Sequence, residues 1–162
     1  MNESDERFAR TLHHASKSTE IGHAFSPAII NTSVYRLAPD PSGPYQYARW
    51  ANPTWTALEE ALAILEDAET VTFPSGMAAI AAVLYSSVKS GDRILLPSDG
   101  YYTVRVFAEK YLLPMGIGVD HCPTAEVAAR ALDGYRLAWI ETPSNPGLDL
   151  ADIAAVVRNA KA

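Results

Sequence analysis

The sequence predicts an α/β protein whose mostly parallel sheet carries helices on both faces. The first observation is an alternation, from Pro53 onward, of short apolar runs with longer segments of helical period. The second is the turn chemistry between these segments, such as Gly91-Asp92 before an apolar run. The third is the length of each connection, which is enough for the right-handed crossover that parallel strands need.

The predicted helices and strands follow one another in order along the chain. Helices are predicted near residues 54–66, 76–88, 102–112 and 125–132, and a last helix begins near Leu150. Strands are predicted at 70–73, 93–96, 117–120 and 137–140. Three apolar side chains of the last predicted helix share one face: Leu150, Ile153 and Val157. The alternation predicts a further strand after this helix.

Residues 1–52 differ from the rest and are predicted to form an N-terminal arm. Four prolines interrupt any long periodic pattern there: Pro27, Pro39, Pro41 and Pro44. A short helix is predicted at residues 5–15, and an arm with little core of its own packs on another surface, such as a second subunit. The predicted domains are therefore a subunit-contacting arm, 1–52, and an α/β domain, 53–162.

Composition and charge argue against several classes of function. A chain of 162 residues with 48% hydrophobic residues fills one core. Its net charge of −6, without clustered lysine or arginine, argues against a nucleic-acid surface, and no apolar run approaches the ~20 residues needed to span a bilayer. The single Cys122 and a polar N-terminus without a signal peptide predict a cytoplasmic protein. The histidines lack metal-ligand spacing with Cys122, so no metal site is expected.

A candidate phosphate site lies where the predicted strand 70–73 leads into Ser75-Gly76-Met77 and an alanine-rich helix. The start of a helix leaves backbone N–H groups unpaired at the positive end of the helix dipole. Gly76 has no Cβ, so an anion can approach those groups closely. The alternative is that Ser75 is only the N-cap of the helix, a position that serine favours.

Two further loops are predicted at the same edge of the sheet, because ligands of parallel sheets bind beyond the carboxyl ends of the strands. They are Pro97-Ser98-Asp99-Gly100-Tyr101-Tyr102 and Glu141-Thr142-Pro143-Ser144-Asn145-Pro146. The ring of Tyr101 can stack on an aromatic cofactor, and the amide of Asn145 can donate a hydrogen bond to a ring hydroxyl or phenolate oxygen. The alternatives are a packing role for Tyr101 and a simple turn at Asn145-Pro146.

A second anion-binding candidate is Arg49, in the segment Tyr47-Ala48-Arg49 of the arm. Its guanidinium offers a planar set of donors to a phosphate, and the Tyr47 hydroxyl adds a donor if the backbone is extended there. The alternative is a surface arginine stacked on Tyr47 or Trp50.

Taken together and in this order, these segments resemble the N-terminal part of the pyridoxal-phosphate (PLP) enzymes of cysteine and methionine metabolism, the trans-sulfuration family that includes cystathionine γ-lyase, β-lyase and γ-synthase. The resemblance covers residues 26–162 and implies the large-domain fold of fold-type I PLP enzymes. Its motifs are Tyr47-Ala48-Arg49, Asn52-Pro53-Thr54, Leu58-Glu59, Ser75-Gly76-Met77-Ala78-Ala79, Gly91-Asp92, the Tyr101 loop and Glu141-Thr142-Pro143-Ser144-Asn145-Pro146.

The resemblance implies a role for each candidate residue near the phosphate. Tyr47 and Arg49 would reach across a dimer interface to the PLP phosphate of the neighbouring subunit. The backbone at Ser75, Gly76 and Met77 would hold the phosphate within the same subunit. The resemblance therefore implies a homo-oligomer, a tetramer built from dimers, with PLP as its cofactor.

The resemblance also implies roles near the cofactor ring. Tyr101 would stack on the pyridine ring at the catalytic centre, and Asn145 would donate a hydrogen bond to the ring's 3′ oxygen, whereas the role of Glu141 is left open. The family's loop more often reads Asp-x-x-Tyr-Gly-x-Thr, and here Tyr102 replaces the glycine and Val104 follows Thr103. The substrate implied is a sulfur amino acid such as cystathionine.

Members of this family are longer, and beyond the Asn-Pro loop they carry the lysine that holds PLP as a Schiff base and an aspartate that pairs with the pyridine nitrogen. This chain stops before both, and none of its lysines has a Schiff-base context; they are Lys17, Lys89, Lys110 and Lys161. The expectation is a truncated N-terminal portion of a cystathionine γ-lyase-like C–S lyase, inactive alone, whose complete form removes an α-proton and eliminates at Cγ or Cβ. The alternatives are β-lyase or γ-synthase activity, or a non-catalytic module that binds a phosphorylated ligand or a subunit.

Overall fold

The computed structural model describes residues 2–13, 20–40 and 42–160. It divides the chain into two units, Met1–Phe73 and Pro74–Ala162, which are described in turn. None of the helices in these ranges has both the length and the apolar character needed to cross a membrane.

Among its described residues, the first unit has two helices that pack on each other, α1 (Glu3–His13) and α2 (Pro53–Glu66). An ion pair joins them where α2 ends, with Arg7 Nη2 3.7 Å from Asp67 Oδ2. The prediction of a helix at 54–66 is confirmed. The helix predicted at 5–15 begins two residues earlier, at Glu3, and residues 14 and 15 lie outside the described residues.

Asn52 attaches the preceding extended segment to the start of α2. Its side chain is 3% exposed, and its Oδ1 accepts the Thr54 N–H at 2.8 Å, as an N-cap does. Its Nδ2 donates to Ile30 O at 3.0 Å, while Thr54 Oγ1 accepts the Ile30 N–H at 2.8 Å. The motif Asn52-Pro53-Thr54 therefore caps a helix and orders the arm with the same two polar side chains.

The predicted strand at 70–73 is wrong, because these residues pair with no strand in the structure. Glu59 of α2 takes the hydrogen bonds instead. Its Oε1 accepts the Thr72 N–H at 2.8 Å and the Thr72 hydroxyl at 2.9 Å. A carboxylate satisfies the backbone donor that a neighbouring strand would otherwise accept from.

The second unit holds a parallel sheet of three strands in the order β2-β1-β3. The strands are β1 (Arg93–Pro97), β2 (Gly118–Cys122) and β3 (Leu137–Ala138), and the helices are α3 (Gly76–Ser87), α4 (Tyr102–Phe107) and α5 (Ile153–Ala160). The third strand is shorter than the predicted 137–140, although the Trp139 N–H still donates to Leu95 O at 2.8 Å. The predicted α/β fold with a parallel sheet is confirmed.

Alternate residues of β1 enter the two cores of this unit, one on each face of the sheet. Ile94 and Leu96 pack with α3 and α4, in a cluster completed by Leu84, Val104, Ala108, Leu112 and Ile117. Leu95 packs on the opposite face, in a cluster with Cys122, Val127, Leu132 and Val156. Both faces of the sheet are therefore covered, as the alternation predicted.

Three helical segments differ from their predictions. The segment predicted as a helix at 125–132 is a 3₁₀-helix over Thr124–Ala129, after which Arg130 is extended; so short a segment gains little from α-helical cooperativity. The helix predicted at 102–112 is α-helical to Phe107 and continues as a π turn, Ala108–Leu112. The last helix begins at Ile153, three residues after the predicted Leu150; within it Val156 is buried, whereas Ile153 and Val157 are exposed, as is Leu150 before it.

A polar network connects β1 and β2 beside these cores. Asp120 pairs with the Arg93 guanidinium and accepts the Tyr135 hydroxyl at 2.7 Å, and Arg130 Nη2 donates to the Tyr135 oxygen at 3.1 Å. The hydrogen bond from Tyr135, followed by that from Arg93, lowers the pKa of Asp120 below its usual value. Asp120 is therefore held as a carboxylate at the sheet surface.

Candidate functional site

The loops that follow β1 and β3 are hydrogen-bonded to each other at the carboxyl edge of the sheet. The Tyr101 N–H donates to Glu141 Oε2 at 2.6 Å. The Asn145 N–H donates to Asp99 O at 3.0 Å. These bonds bring together two of the loops that were predicted to converge, and they place Tyr101 and Asn145 on one connected frame.

Glu141 uses both carboxylate oxygens in this frame. While Oε2 accepts from Tyr101, Oε1 accepts the indole N–H of Trp139 at 3.1 Å. A Cβ at Gly100 would lie 2.6 Å from Pro97 Cγ and 3.0 Å from the Glu141 carboxyl carbon, so only glycine fits between them. Glu141 therefore contacts the Tyr101 loop through a hydrogen bond and through close packing.

Asp99 joins the same loop to the segment after β2. Its Oδ1 accepts both the Thr124 N–H and the Thr124 hydroxyl, each at 2.9 Å, and Thr124 is 2% exposed. Burial alone would raise the pKa of Asp99, but the hydrogen bonds from Thr124, with one from Ser144, outweigh it and the pKa lies below its usual value. Sequence reasoning missed Thr124, because 25 residues separate it from Asp99 and no local pattern relates them.

Tyr101 is 42% exposed at this edge, so part of its ring is open to a ligand. Its ring meets that of Tyr102 edge to face, with centroids 5.6 Å apart. Arg105 Nη1 donates to Gly100 O at 2.7 Å, which fixes the backbone just before Tyr101. Only a partly exposed ring can both pack on the protein and stack on a cofactor, and Tyr101 meets this condition.

Asn145 is exposed on a loop whose own backbone is fixed. The adjacent Ser144 is 1% exposed, its N–H donates to Asp149 O at 2.8 Å, and its Oγ accepts the Asp149 N–H at 2.9 Å. The Asn145 N–H is bonded to Asp99 O and the residue is exposed, so its side-chain amide is available as a donor to a ligand.

Ser75, Gly76 and Met77 form the N-terminus of α3. Ser75 Oγ accepts the Ala78 N–H at 3.1 Å, so the capping alternative describes Ser75 correctly. The N–H groups of Gly76 and Met77 have no acceptor within the helix, and a Cβ at Gly76 would meet nothing within 4 Å. Capping by Ser75 leaves these two donors accessible to an anion.

Tyr47 and Arg49 lie in the first unit. Tyr47 forms an antiparallel bridge with Val34, but the backbone turns immediately afterwards, with the Trp50 N–H donating to Tyr47 O at 2.9 Å. The expected extended reach from 47 to 49 is therefore wrong. Arg49 Cζ lies 5.2 Å from the Tyr47 ring centroid, so the stacked alternative describes this chain, and the phosphate role remains a prediction.

Comparison with known proteins decides the family. Residues 9–162 match the family model described as Cys/Met metabolism PLP-dependent enzyme. The chain belongs to this family. PLP is accordingly the cofactor of the family, and its members are enzymes.

Two relatives and one solved structure illustrate the range of this Cys/Met metabolism family. A Streptomyces coelicolor protein assigned as a cystathionine gamma-lyase is 46% identical over 84% of this chain and 36% of its own length. The O-succinylhomoserine sulfhydrylase of Pseudomonas aeruginosa is 36% identical over 83% of this chain and 37% of its own length. The crystal structure of cystathionine gamma synthase from Xanthomonas oryzae pv. oryzae has a TM-score of 0.82 at 31% identity, covering 96% of this chain and 41% of that one. The chain thus spans well under two thirds of these relatives.

The groups at the carboxyl edge fit PLP chemically. At that edge the partly exposed ring of Tyr101 suits a pyridine ring and the exposed amide of Asn145 suits a ring oxygen. The N–H groups of Gly76 and Met77 suit a phosphate, but no hydrogen bond connects the start of α3 to these two loops in the described residues. Among the residues that the structure describes, no group of histidine, cysteine and acidic side chains could hold a metal ion. The cofactor family and the chemistry of these side chains therefore agree.

Proposed function

We propose that this chain is the N-terminal, cofactor-holding portion of a PLP-dependent C–S lyase of sulfur amino-acid metabolism, whose substrate is a compound such as cystathionine. The observation that carries the proposal is the bonded pair of loops that presents Tyr101 and Asn145 at one edge of the sheet. The family match over residues 9–162 supports it.

Each candidate site residue of the second unit has a defined task in this proposal. The Gly76 and Met77 N–H groups bind the phosphate, the Tyr101 ring stacks on the pyridine, and the Asn145 amide orients the cofactor through its ring oxygen. Bound PLP supplies an electron sink for the bond that breaks at the substrate's α-carbon. The chain's own contribution is therefore binding and orientation.

A γ-lyase is the first choice among the family's reactions. The 46% identity to the Streptomyces coelicolor relative supports it. The 36% identity to an O-succinylhomoserine sulfhydrylase supports a γ-replacement reaction of the γ-synthase type as the second candidate. A β-lyase is the third, and α-proton removal is common to all of them.

The chain alone is proposed to be catalytically incomplete. Lys89 lies in the turn before β1, at the amino edge of the sheet, whereas Tyr101 follows β1 at the carboxyl edge. Lys110 lies in the π turn of the crossover that returns to the amino edge before β2. Neither described lysine is placed to meet a cofactor that is held by Tyr101 and Asn145.

The first unit is proposed to act between subunits. Tyr47 and Arg49 would add donors to the phosphate site of a neighbouring copy, in a cytoplasmic tetramer built from dimers. In that setting Arg49 would exchange its contact with the Tyr47 ring for a phosphate, to which a guanidinium binds more strongly.

An NMR titration of the isotope-labelled chain with PLP tests the cofactor site. The amide resonances of Gly76, Met77, Tyr101 and Asn145 are expected to shift with one common dissociation constant. Inorganic phosphate is expected to shift only Gly76 and Met77. Equal responses to PLP and to phosphate, confined to those two residues, would instead favour the non-catalytic phosphate-binding module.

A joined protein tests the reaction. This chain would replace the matching residues of the Streptomyces coelicolor relative, and that relative would serve as the positive control. With cystathionine and one water, γ-elimination releases cysteine, a four-carbon 2-oxo acid and ammonia, whereas β-elimination releases homocysteine, pyruvate and ammonia. Product analysis therefore separates the candidates, and consumption of O-succinylhomoserine with a thiol would identify the γ-replacement reaction.

A further inference from the structure

We infer that Glu141 is a positioning residue for Tyr101, and that its carboxylate sets where the tyrosine ring is presented to the cofactor. The inference rests on the proposed PLP site. The sequence left the role of Glu141 open. The contact that gives it one is a hydrogen bond to the backbone N–H of Tyr101, not to its ring.

Both carboxylate oxygens of Glu141 accept hydrogen bonds. Glu141 follows β3, and its two oxygens accept from donors on different segments, the Tyr101 N–H at 2.6 Å and the Trp139 indole N–H at 3.1 Å. Two engaged oxygens fix the plane of the carboxylate, because rotation about its last bond would break both hydrogen bonds. The acceptor for Tyr101 is therefore held in one place.

Little free space lies behind Tyr101. A Cβ at Gly100 would lie 2.6 Å from Pro97 Cγ and 3.0 Å from the Glu141 carboxyl group, and Arg105 Nη1 donates to Gly100 O at 2.7 Å. The peptide between Gly100 and Tyr101 is thus restrained on both sides, its carbonyl by Arg105 and its N–H by Glu141. A displacement of the Glu141 carboxylate is transmitted directly to the Tyr101 Cα.

A glutamate at position 141 suits both donors better than a glutamine. Glu141 must accept two hydrogen bonds, whereas a glutamine has one accepting oxygen and an NH₂ group that would face the second donor. Glu141→Gln should therefore lose one of the two bonds, and Glu141→Ala should lose both. This graded loss distinguishes positioning by the carboxylate from simple filling of space.

The first experiment measures the bond without any cofactor. In the labelled 162-residue chain, Glu141→Ala is expected to raise the hydrogen-exchange rate of the Tyr101 amide about tenfold and to shift the Trp139 indole resonance. Glu141→Gln should have a smaller effect, and Gly100→Ala should also raise the exchange rate, because its Cβ would crowd Pro97 and the Glu141 carboxylate. The matched control is Glu109→Gln, an equal charge change on the exposed side of the π turn. Exchange of the Leu95 amide reports whether the sheet stays folded.

The second experiment measures the consequence for the ligand. The PLP dissociation constant, taken from the same NMR titration, is expected to rise about tenfold in Glu141→Ala, less in Glu141→Gln, and not in Glu109→Gln. The shift at Tyr101 should shrink, while those at Gly76 and Met77 should keep their size at saturation.

Two results would overturn the inference. One is a Tyr101 amide that exchanges at the same rate in Glu141→Ala as in the wild type. The other is a faster exchange with a PLP dissociation constant that stays within twofold of wild type. A wild-type chain that binds no PLP would overturn the inference together with the proposed function. If the Tyr101 amide still exchanged faster in Glu141→Ala, the cofactor assignment would be wrong, whereas the hydrogen bond between Glu141 and Tyr101 would be supported.

Discussion

Glu141 accepts the backbone N–H of Tyr101 at 2.6 Å although 40 residues of sequence separate them. The contact crosses from the loop after β3 to the loop after β1, two strands that are neighbours in the sheet. Because adjacent parallel strands end at the same edge, a single carboxylate can hold the loops of both. This contact makes the candidate site one frame instead of two independent loops.

Substitution of Tyr101 tests the stacking role. Tyr101→Ala is expected to weaken PLP binding by roughly three- to tenfold, because aromatic pairs contribute about 0.5–1.5 kcal/mol beyond their buried area. Tyr101→Phe should bind PLP as the wild type does, since the ring and not the hydroxyl makes the contact. The dissociation constants are measured by NMR titration. Tyr111→Ala, which removes another half-exposed tyrosine ring in the same unit, is the control and should have no effect.

Asp99 is expected to make stability depend on acid. Its pKa is lower in the folded chain than in the unfolded one, so the folded state binds fewer protons there. Its contribution is complete above the unfolded value, about 3.9, and is lost as the pH falls through the folded pKa. Asp99→Asn keeps an oxygen for both Thr124 bonds but lacks the charge. The variant should be less stable than wild type at pH 7, and the difference should disappear in strong acid.

Urea unfolding at a series of pH values measures this difference. Asp133→Asn is the matched control, because Asp133 is an exposed turn residue of the same unit and should show no such convergence. A stability difference between wild type and Asp99→Asn that is constant from pH 7 to strong acid would contradict the account, since it could not come from the carboxylate charge.

Asn52→Ala is expected to destabilise the first unit by about 2 kcal/mol. The substitution removes the N-cap of α2 and also leaves Ile30 O without its amide donor. Asn31→Ala, at an exposed position, should change stability by less than about 0.5 kcal/mol. Urea unfolding, followed by circular dichroism, measures both variants. Equal effects at 31 and 52 would mean that the Asn52 bonds do not contribute to stability.

Tyr135→Phe is expected to raise the pKa of Asp120 toward its usual value. The Tyr135 hydroxyl is the largest cause of the lowered pKa, and the Arg93 guanidinium remains in the variant as a smaller one. The shift should therefore be partial. Titration of the Asp120 carboxyl carbon by NMR measures it, and an unchanged pKa would show that the Tyr135 hydroxyl does not lower it.

The alternation of strands and helices could be predicted from the sequence because it depends on local periods and turn residues. The predicted strands that became β1 and β2 were placed within one or two residues, and the buried Ile94, Leu95 and Leu96 reflect that pattern. The strand at 70–73 failed for a non-local reason. Whether an extended segment pairs depends on the presence of a neighbouring strand, and here Thr72 donates its hydrogen bonds to Glu59 instead.

The candidate site shows the same limit. Tyr101, Asn145 and the start of α3 could be found because loops at strand ends and helix starts are visible in a sequence. The bonds that hold them could not, because Asp99 with Thr124, and Glu141 with Tyr101, are joined only by the parallel pairing of the sheet. The conformation of Arg49 also depends on its neighbours in the folded chain, where its guanidinium lies over the Tyr47 ring.

The most direct test of the account is borohydride reduction of the 162-residue chain saturated with PLP, followed by peptide mass mapping. The account holds that this chain carries the loops that orient PLP but no lysine that binds it covalently. It therefore predicts saturable binding, detected at Tyr101 and Asn145, with no stoichiometric adduct on any single lysine. A stoichiometric adduct on Lys89 or Lys110 would contradict it, because the cofactor would then be held on the opposite edge of the sheet.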